Sequence, residues 1–325
     1  MSKRGWLLFA AMGLIWGVPY LFIKVAVGEL TPAALVLLRT GLGAVLLLPL
    51  AAARGELRTL PRYWKPLLLF AAFELAVPWL LLSHAEQRLS SSLTGLLLAA
   101  VPLVGAVLGR LTGTDRLDGH RLLGLGVGLA GVAALAGLDL GRGSAVALLE
   151  LAAVAVGYAL GPFVLARGLS EAPRLGVIAA ALAVTAVAYL PVGLAQLPRH
   201  WPRLQVVVAV LVLAVLCTAV AFLFFFALVD EVGPVRSTVI TYVNPAVAVV
   251  LGVAFLNEPF TWQIALGFGL VLGGSVLATR RSRIGSTRGR RRPPDGAALD
   301  RPAAGPAVAR HPQLTPPGGD RPSGR

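Results

Sequence analysis

Apolar residues occur in runs of about twenty, separated by short polar connections, from the N-terminus to residue 280. The runs cover roughly 6–27, 32–53, 64–84, 90–110, 121–139, 144–166, 174–197, 204–229, 235–256 and 261–279. About 20 apolar residues span the hydrocarbon core of a bilayer as a helix. Backbone polar groups in lipid must be satisfied within the spanning structure, so each run is predicted to be a helix. The pattern therefore predicts an all-α integral membrane fold with ten transmembrane helices. The first run has the basic start of a signal peptide (Lys3, Arg4). It lacks a clear small-residue cleavage site, and Pro19, Tyr20 and Lys24 follow, so it is read as a span.

The runs repeat. Residues 1–140 and 144–280 align as two copies at an offset of 143: Pro19 with Pro162, Lys24 with Arg167, Pro102 with Pro245, and Gly124, Gly126 and Gly131 with Gly267, Gly269 and Gly274. Asp115 matches Glu258. Each copy holds five runs, and five is odd. A second copy entering the membrane after an odd number of crossings is inverted, giving two inverted five-helix repeats. Such repeats enclose a midplane site in many secondary transporters.

Composition supports the membrane reading. The chain is 57% hydrophobic and 14% charged, with a mean hydropathy of +0.79, whereas soluble chains carry about 25% charge. With the N-terminus inside, the inner segments hold twelve Lys and Arg residues and the outer loops only Arg88, Arg142, Arg199 and Arg203. Both termini are therefore expected in the cytoplasm, with the chain in a bacterial plasma (inner) membrane. Arg199, Arg203 and the acidic pair Asp230–Glu231 break the rule locally. The net charge of +14 misleads, because eleven of the 29 basic residues lie between Arg280 and Arg325. Residues 281–325 form an Arg-, Pro- and Gly-rich tail expected to be disordered and to meet anionic lipid heads of the bilayer. Nucleic acid is not expected as a partner of a tethered tail.

Some motifs are set aside. Gly126, Gly128 and Gly131 spell G-x-G-x-x-G, but a dinucleotide site needs that pattern after a strand. Close helix packing fits better, through the pairs Gly124–Gly128 and Gly269–Gly273. These pairs leave open whether they serve one chain or a homodimer. Cys217 is the sole cysteine, so no intrachain disulfide forms. The four histidines have no metal-ligand spacing. No metal, cofactor or catalytic group is expected.

The informative residues are polar ones inside spans, because a charge there usually faces a cavity or a partner. Lys24 and Arg167 lie near span ends and are read as snorkelling to an interface. Arg39 and Glu74 lie deeper, each facing a cavity or a buried ion pair. Glu150 reads as interfacial, and Glu258 as a loop or cap residue. Trp16, Tyr20 and Lys24 are spaced by four, which puts them on one helix face. Span nine offers Tyr242, Asn244 and Pro245, and span four Pro102. Each proline removes a backbone donor, and two symmetry-related interrupted helices point to a midplane site. Tyr158 and Pro162, with Trp16 and Pro19, make a weaker symmetric pair.

The segments "LIWGVPYLFIKVAV", "TPAALVLLRTGL", "TGLLLAAVPLVGAVLG" and "TYVNPAVAVVLGVAFLNEP" resemble the EamA-type drug/metabolite transporters. The resemblance covers roughly residues 6–280 and rests on the order of these segments plus the repeat. It implies ten helices in two inverted halves and an alternating-access carrier of small organic solutes. It also implies a central cavity near Trp16, Glu74, Pro102, Tyr158 and Tyr242. One departure is "LNEP", where the family commonly has Gly before the Glu.

The sequence is thus read as a permease or exporter for a small organic solute such as an amino acid, metabolite or drug. Its candidate solute-binding residues are Trp16, Tyr20, Arg39, Glu74, Pro102, Tyr158, Tyr242 and Asn244. Glu74 is the candidate for proton coupling or for a solute ammonium, and Arg39 for a solute carboxylate or for an ion pair with Glu74. Two other classes stay open: a non-transporting polytopic protein, and a membrane-embedded lipid-modifying enzyme. The latter would need a polar catalytic cluster at one interface.

Overall fold

The computed structural model describes residues 2–113, 119–136, 144–233 and 237–279. The expected disordered tail and Asp115 lie outside these residues. Every regular element among them is helical. Seven helical segments are long and apolar enough to cross a membrane: Lys3–Ala26, Pro32–Ala53, Glu56–Glu86, Ser91–Leu111, Ala145–Gly168, Arg174–Ala195 and Leu204–Val232. Three shorter apolar helices are Gly119–Leu135, Ile240–Leu256 and Trp262–Ala278.

Several segments are interrupted, and proline explains where. The first divides into α1 (Lys3–Ile15) and α2 (Pro19–Ala26). The fourth divides into α6 (Ser91–Leu98) and α7 (Val101–Leu111), and a 3₁₀ turn over Thr238–Tyr242 precedes α13 (Asn244–Leu256). Pro19, Pro102 and Pro245 each sit at the first or second position of the helix that resumes. There the missing N–H is one that the helix start leaves unbonded anyway. Pro162 behaves differently: it lies inside the unbroken α9 (Ser144–Gly168). The Pro19–Pro162 pair is therefore not a pair of matching breaks.

The remaining helices are α3 (Pro32–Ala53), α4 (Trp64–Phe70), α5 (Val77–Glu86), α8 (Gly119–Ala136), α10 (Arg174–Ala195), α11 (Leu204–Leu211), α12 (Ala221–Val232) and α14 (Trp262–Thr279). A wide π turn joins α4 to α5 over Ala71–Ala76, and another joins α11 to α12 over Val212–Val220. π turns inside α-helices frequently mark functional sites. Hydroxyl groups bond to carbonyls at both: Tyr189 donates to Ala76 O at 2.9 Å and Thr218 to Leu213 O at 2.8 Å.

Helix α3 packs along α10 and α8 along α14. Glycine makes the second contact possible. A Cβ on Gly124 would stand 2.5 Å from the Ala278 nitrogen, and one on Gly131 2.7 Å from the Val271 nitrogen. The facing glycines of α14 are Gly267, which meets Leu135, and Gly274, which meets Gly128. This corrects the sequence reading of the last helix, since Gly269 and Gly273 have nothing within 4 Å. Gly126 is equally open. The interface follows a seven-residue spacing, which keeps one face in contact over two turns.

Outward positions are apolar, for example Leu7 at 72%, Leu149 at 72% and Val187 at 69% exposure. Four of the six tryptophans, Trp6, Trp64, Trp201 and Trp262, are exposed near segment ends, as in the aromatic belts of membrane proteins. The other two, Trp16 and Trp79, turn inward.

Candidate functional site

Three helices and both π turns bring polar side chains into the apolar interior. Arg39 of α3 is 6% exposed. Its Nε donates to Thr218 Oγ1 at 3.0 Å, and its Cζ lies 3.6 Å from the Trp79 ring centroid. Among the described residues, its two terminal nitrogens have no hydrogen-bond partner, yet neither is sealed from access. A planar donor fork fixed at its Nε and stacked on one face suits a carboxylate. Thr218 holds the fork in place, because its own proton goes to Leu213 O.

Glu74 projects from the first π turn onto α9. Its Oε2 lies where a Cβ on Gly161 would be, and that oxygen is buried without a partner. Gly161 thus makes room for a carboxylate on the face of α9 that also carries Tyr158. Tyr158 lies within electrostatic reach of Glu74 and Arg39 and beside Trp79, and Tyr20 within reach of Tyr158, Arg39 and Glu86. The expected Arg39–Glu74 ion pair does not form among the described residues. Arg39 is instead committed to Thr218 and Trp79, and Glu74 to the groove at Gly161.

The structure therefore gathers Tyr20, Arg39, Glu74 and Tyr158 from the residues singled out by sequence. It does not bring Trp16 to them. The break after Ile15 takes Trp16 off the helix that carries Tyr20 and Lys24, so the three do not share one continuous helix face. Trp16 packs instead on Phe225 and Phe222 of α12, with ring centroids 4.8 and 6.1 Å away. Asn244 is engaged structurally. With the amide turned so that its nitrogen, rather than its oxygen, meets the surrounding carbonyls, it donates to Ile240 O at 2.9 Å and to Gly13 O at 3.1 Å, tying the break in span nine to α1. Pro102 opens α7, and Tyr242 closes the 3₁₀ turn before α13.

Sequence reasoning missed Trp79, Thr218 and Glu86. Glu86, in the last turn of α5, is 0% exposed, and neither carboxylate oxygen has a hydrogen-bond partner. Its neighbour Lys24 does not snorkel. Lys24 Nζ donates to the carbonyls of Glu86 at 2.6 Å and Leu89 at 2.7 Å, closing the end of α5. Arg167, by contrast, is exposed and lies over Phe163.

Polar clasps hold both ends of the bundle. At the end of α2 and α5, Glu258 accepts from the backbone of Ser91 at 2.7 Å and Ser92 at 2.9 Å, so it caps α6. Glu150 pairs with His84 and lies 3.7 Å from Arg88. Glu29 pairs with the Arg203 guanidinium and accepts from the Arg203 backbone at 3.0 Å. These bonds, the backbone one first, hold the Glu29 carboxyl below its ordinary range. At the opposite end Glu56 accepts from Gly176 N at 2.9 Å, Arg174 donates to Asp230 at 2.8 Å, and Ser2 donates to Glu231. Two open recesses of about 580 Å³ each lie at this second end, around Arg4, Arg54 and Arg62. None of the eight sequence candidates lines them.

The closing residue of α13 explains the departure at "LNEP". Asn257 has φ 53° and ψ 33°, a left-handed conformation. Glycine adopts it without penalty, and asparagine is among the few other residues that visit it routinely.

Apolar outer faces and multiple helices long and apolar enough to span, with a few polar side chains buried among them, define a multi-pass helical membrane protein. The model of the EamA-like transporter family matches residues 3–137 and again 145–280. The chain belongs to that family and is a membrane transporter by kinship. It is 24% identical to the uncharacterized transporter YvbV of Bacillus subtilis (strain 168), over 87% of this chain and 93% of that protein. It is 29% identical to the uncharacterized inner membrane transporter YedA of Escherichia coli (strain K12), over 83% and 88%. A solved crystal structure shares the fold with a TM-score of 0.63 at 23% identity, covering 86% of this chain and 98% of that one.

Proposed function

We propose that the chain is a secondary transporter of ten spans in two inverted five-helix halves, and that it carries a small organic solute with both an anionic and a cationic group. An amino acid is the simplest such solute. The observation that carries this reading is the Arg39–Glu74–Tyr158 cluster. The unbonded fork of Arg39 receives the solute carboxylate, the Glu74 oxygen that is not sealed against Gly161 receives its ammonium, and Trp79, Tyr20 and Tyr158 supply aromatic walls. A guanidinium fork on α3 and a carboxyl group on the π turn, held apart, select a dipolar solute over a simple ion.

Several features support the inverted repeat. The packed pairs α3–α10 and α8–α14 each join elements that match at the 143-residue offset. The π turns at 71–76 and 212–220 overlap at the same offset. The interface glycines 124 and 131 correspond to 267 and 274. Alternating access then proceeds as the two halves rock about the cluster, opening one set of clasps while the other holds. The excess of Lys and Arg at the Arg4–Arg54 end supports both termini being cytoplasmic in a bacterial inner membrane. The family match and the relatives named as transporters support transport over catalysis.

Two measurements test this reading. A thermal-shift screen against amino acids, nucleosides and organic cations should give the largest rise with a zwitterion, because a ligand of the folded state raises the melting temperature. A rise only with simple cations would overturn the solute class. An impermeant thiol reagent should label Gly143→Cys, in a Cys217→Ser background, from outside intact cells. Labelling only from the cytoplasm would overturn the inverted topology.

A further inference from the structure

Glu86 is absent from the proposed solute site, and among the described residues no ion pair accounts for it. Its chain neighbours Leu82, Ala85 and Leu89 belong to a cluster of buried apolar residues that also includes Leu93. The titratable and charged groups within electrostatic reach of it are Lys24 and Tyr20 of α2, Arg39 of α3 and Glu258 beyond α13. None donates to its carboxylate. Lys24 bonds two backbone carbonyls, Arg39 bonds Thr218, and Glu258 carries a charge of the same sign. Two neighbouring hydroxyl oxygens of the Glu258 clasp, Ser91 Oγ and Ser92 Oγ, are also buried without partners. An ionised carboxylate in a dry apolar shell without a donor is strongly disfavoured, and in practice such a group takes up a proton. A metal cation is the poorer neutraliser, because among the described residues no group of three or more metal-ligating side chains stands there to hold one.

We propose that Glu86 is a proton-binding site, occupied while the Glu258–Ser91–Ser92 clasp is closed and emptied when that end opens to water. The proton is the only added species: the carboxylate gains it as the clasp closes and returns it to solvent as the clasp opens. This gives the transporter reading a coupling ion, and rests on that reading for its purpose. The site itself is testable without any solute.

The probe is dicyclohexylcarbodiimide, an apolar reagent for protonated carboxyl groups, applied to the full chain in liposomes between pH 5 and 9. Peptide mass spectrometry locates the adduct. The expected result is modification of Glu86 that falls off as pH rises, in the presence or absence of sodium chloride. Glu86→Gln, isosteric with the neutral acid, should remove that adduct and leave the protein folded by its melting temperature. Glu258→Gln removes a like charge and should move the fall-off to lower pH. Lys24→Gln removes an opposite charge and should move it to higher pH. Absence of the adduct, a pH-independent adduct, or protection by sodium at fixed pH would each overturn the proposal. So would a fall-off that neither neighbouring variant moves. Failure of the solute screen with a pH-dependent Glu86 adduct would remove the solute assignment alone.

Discussion

Arg39 and Trp79 form a stacked pair across α3 and α5: the guanidinium carbon lies 3.6 Å from the ring centroid, and each residue is 6% exposed. Desolvated contacts of this kind are worth about 2 kcal/mol, and this one fixes the plane of the fork. Lysine keeps the charge but loses the stack, the bond to Thr218 and the two-pronged geometry. Arg39→Lys is therefore expected to weaken binding of the solute found in the screen by roughly tenfold to a hundredfold, about 1.5–3 kcal/mol for hydrogen bonds to a charged group. Titration of the purified variant checks this. Unchanged affinity would place the solute carboxylate elsewhere.

The α8–α14 interface makes a prediction with its own control. A Cβ on Gly131 would meet the backbone of α14, which cannot move aside as a side chain can. Gly131→Ala should lower stability by about 1–3 kcal/mol, the usual range for overpacking. Gly126→Ala and Gly269→Ala face open space, and both should leave the melting temperature unchanged or raise it slightly. Equal effects at all three positions would contradict this interface.

These glycines also show how much the sequence revealed. Their 143-residue repeat and their packing role were legible, because small residues in an apolar span have few other uses. Which glycines face the partner was not, since Gly124 and Gly126 differ only in helix phase. The breaks at Pro102 and Pro245 were legible from the missing N–H, whereas Pro162 carries the same signal inside a continuous helix. Arg39 and Glu74 stood out as charges deep in apolar runs. Glu86 did not, because His84, Gln87 and Arg88 around it read as an aqueous boundary, and only tertiary packing buries it. Thr218 and Trp79 carry no sequence mark of function. The π turns that aim Glu74 and Thr218 inward have no composition of their own.

The end of α13 couples a backbone conformation to a clasp. Asn257→Gly should be neutral or stabilising, while Asn257→Ala should cost about 1–2 kcal/mol for a left-handed residue with a Cβ. Glu258→Ala removes the acceptor for two N–H groups at the start of α6 and should cost about 1–2 kcal/mol, as for other lost N-caps. Chemical denaturation in detergent measures all three. A fully stable Glu258→Ala variant would show that the clasp contributes nothing.

Acid should loosen the opposite-charge contact at Glu29. Its carboxyl is held below the ordinary value of 4.5 by the Arg203 backbone and side chain. A carboxyl lowered in the folded state stabilises at pH values above its unfolded value, and that contribution disappears as pH falls through the folded one. Melting temperature should therefore fall more steeply in acid for the native chain than for Glu29→Gln, with the two curves converging at the lowest pH. Parallel curves from pH 7 to pH 3 would rule out this linkage.

The central claim is that a dipolar solute crosses the membrane through the Arg39–Glu74 cluster. Counterflow of a radiolabelled zwitterionic solute into liposomes, for the native chain beside Arg39→Gln and Glu74→Gln, tests it most directly. The account predicts saturable counterflow by the native chain and its loss in both variants, with melting temperatures near the native one. Native-like counterflow in either variant would contradict it.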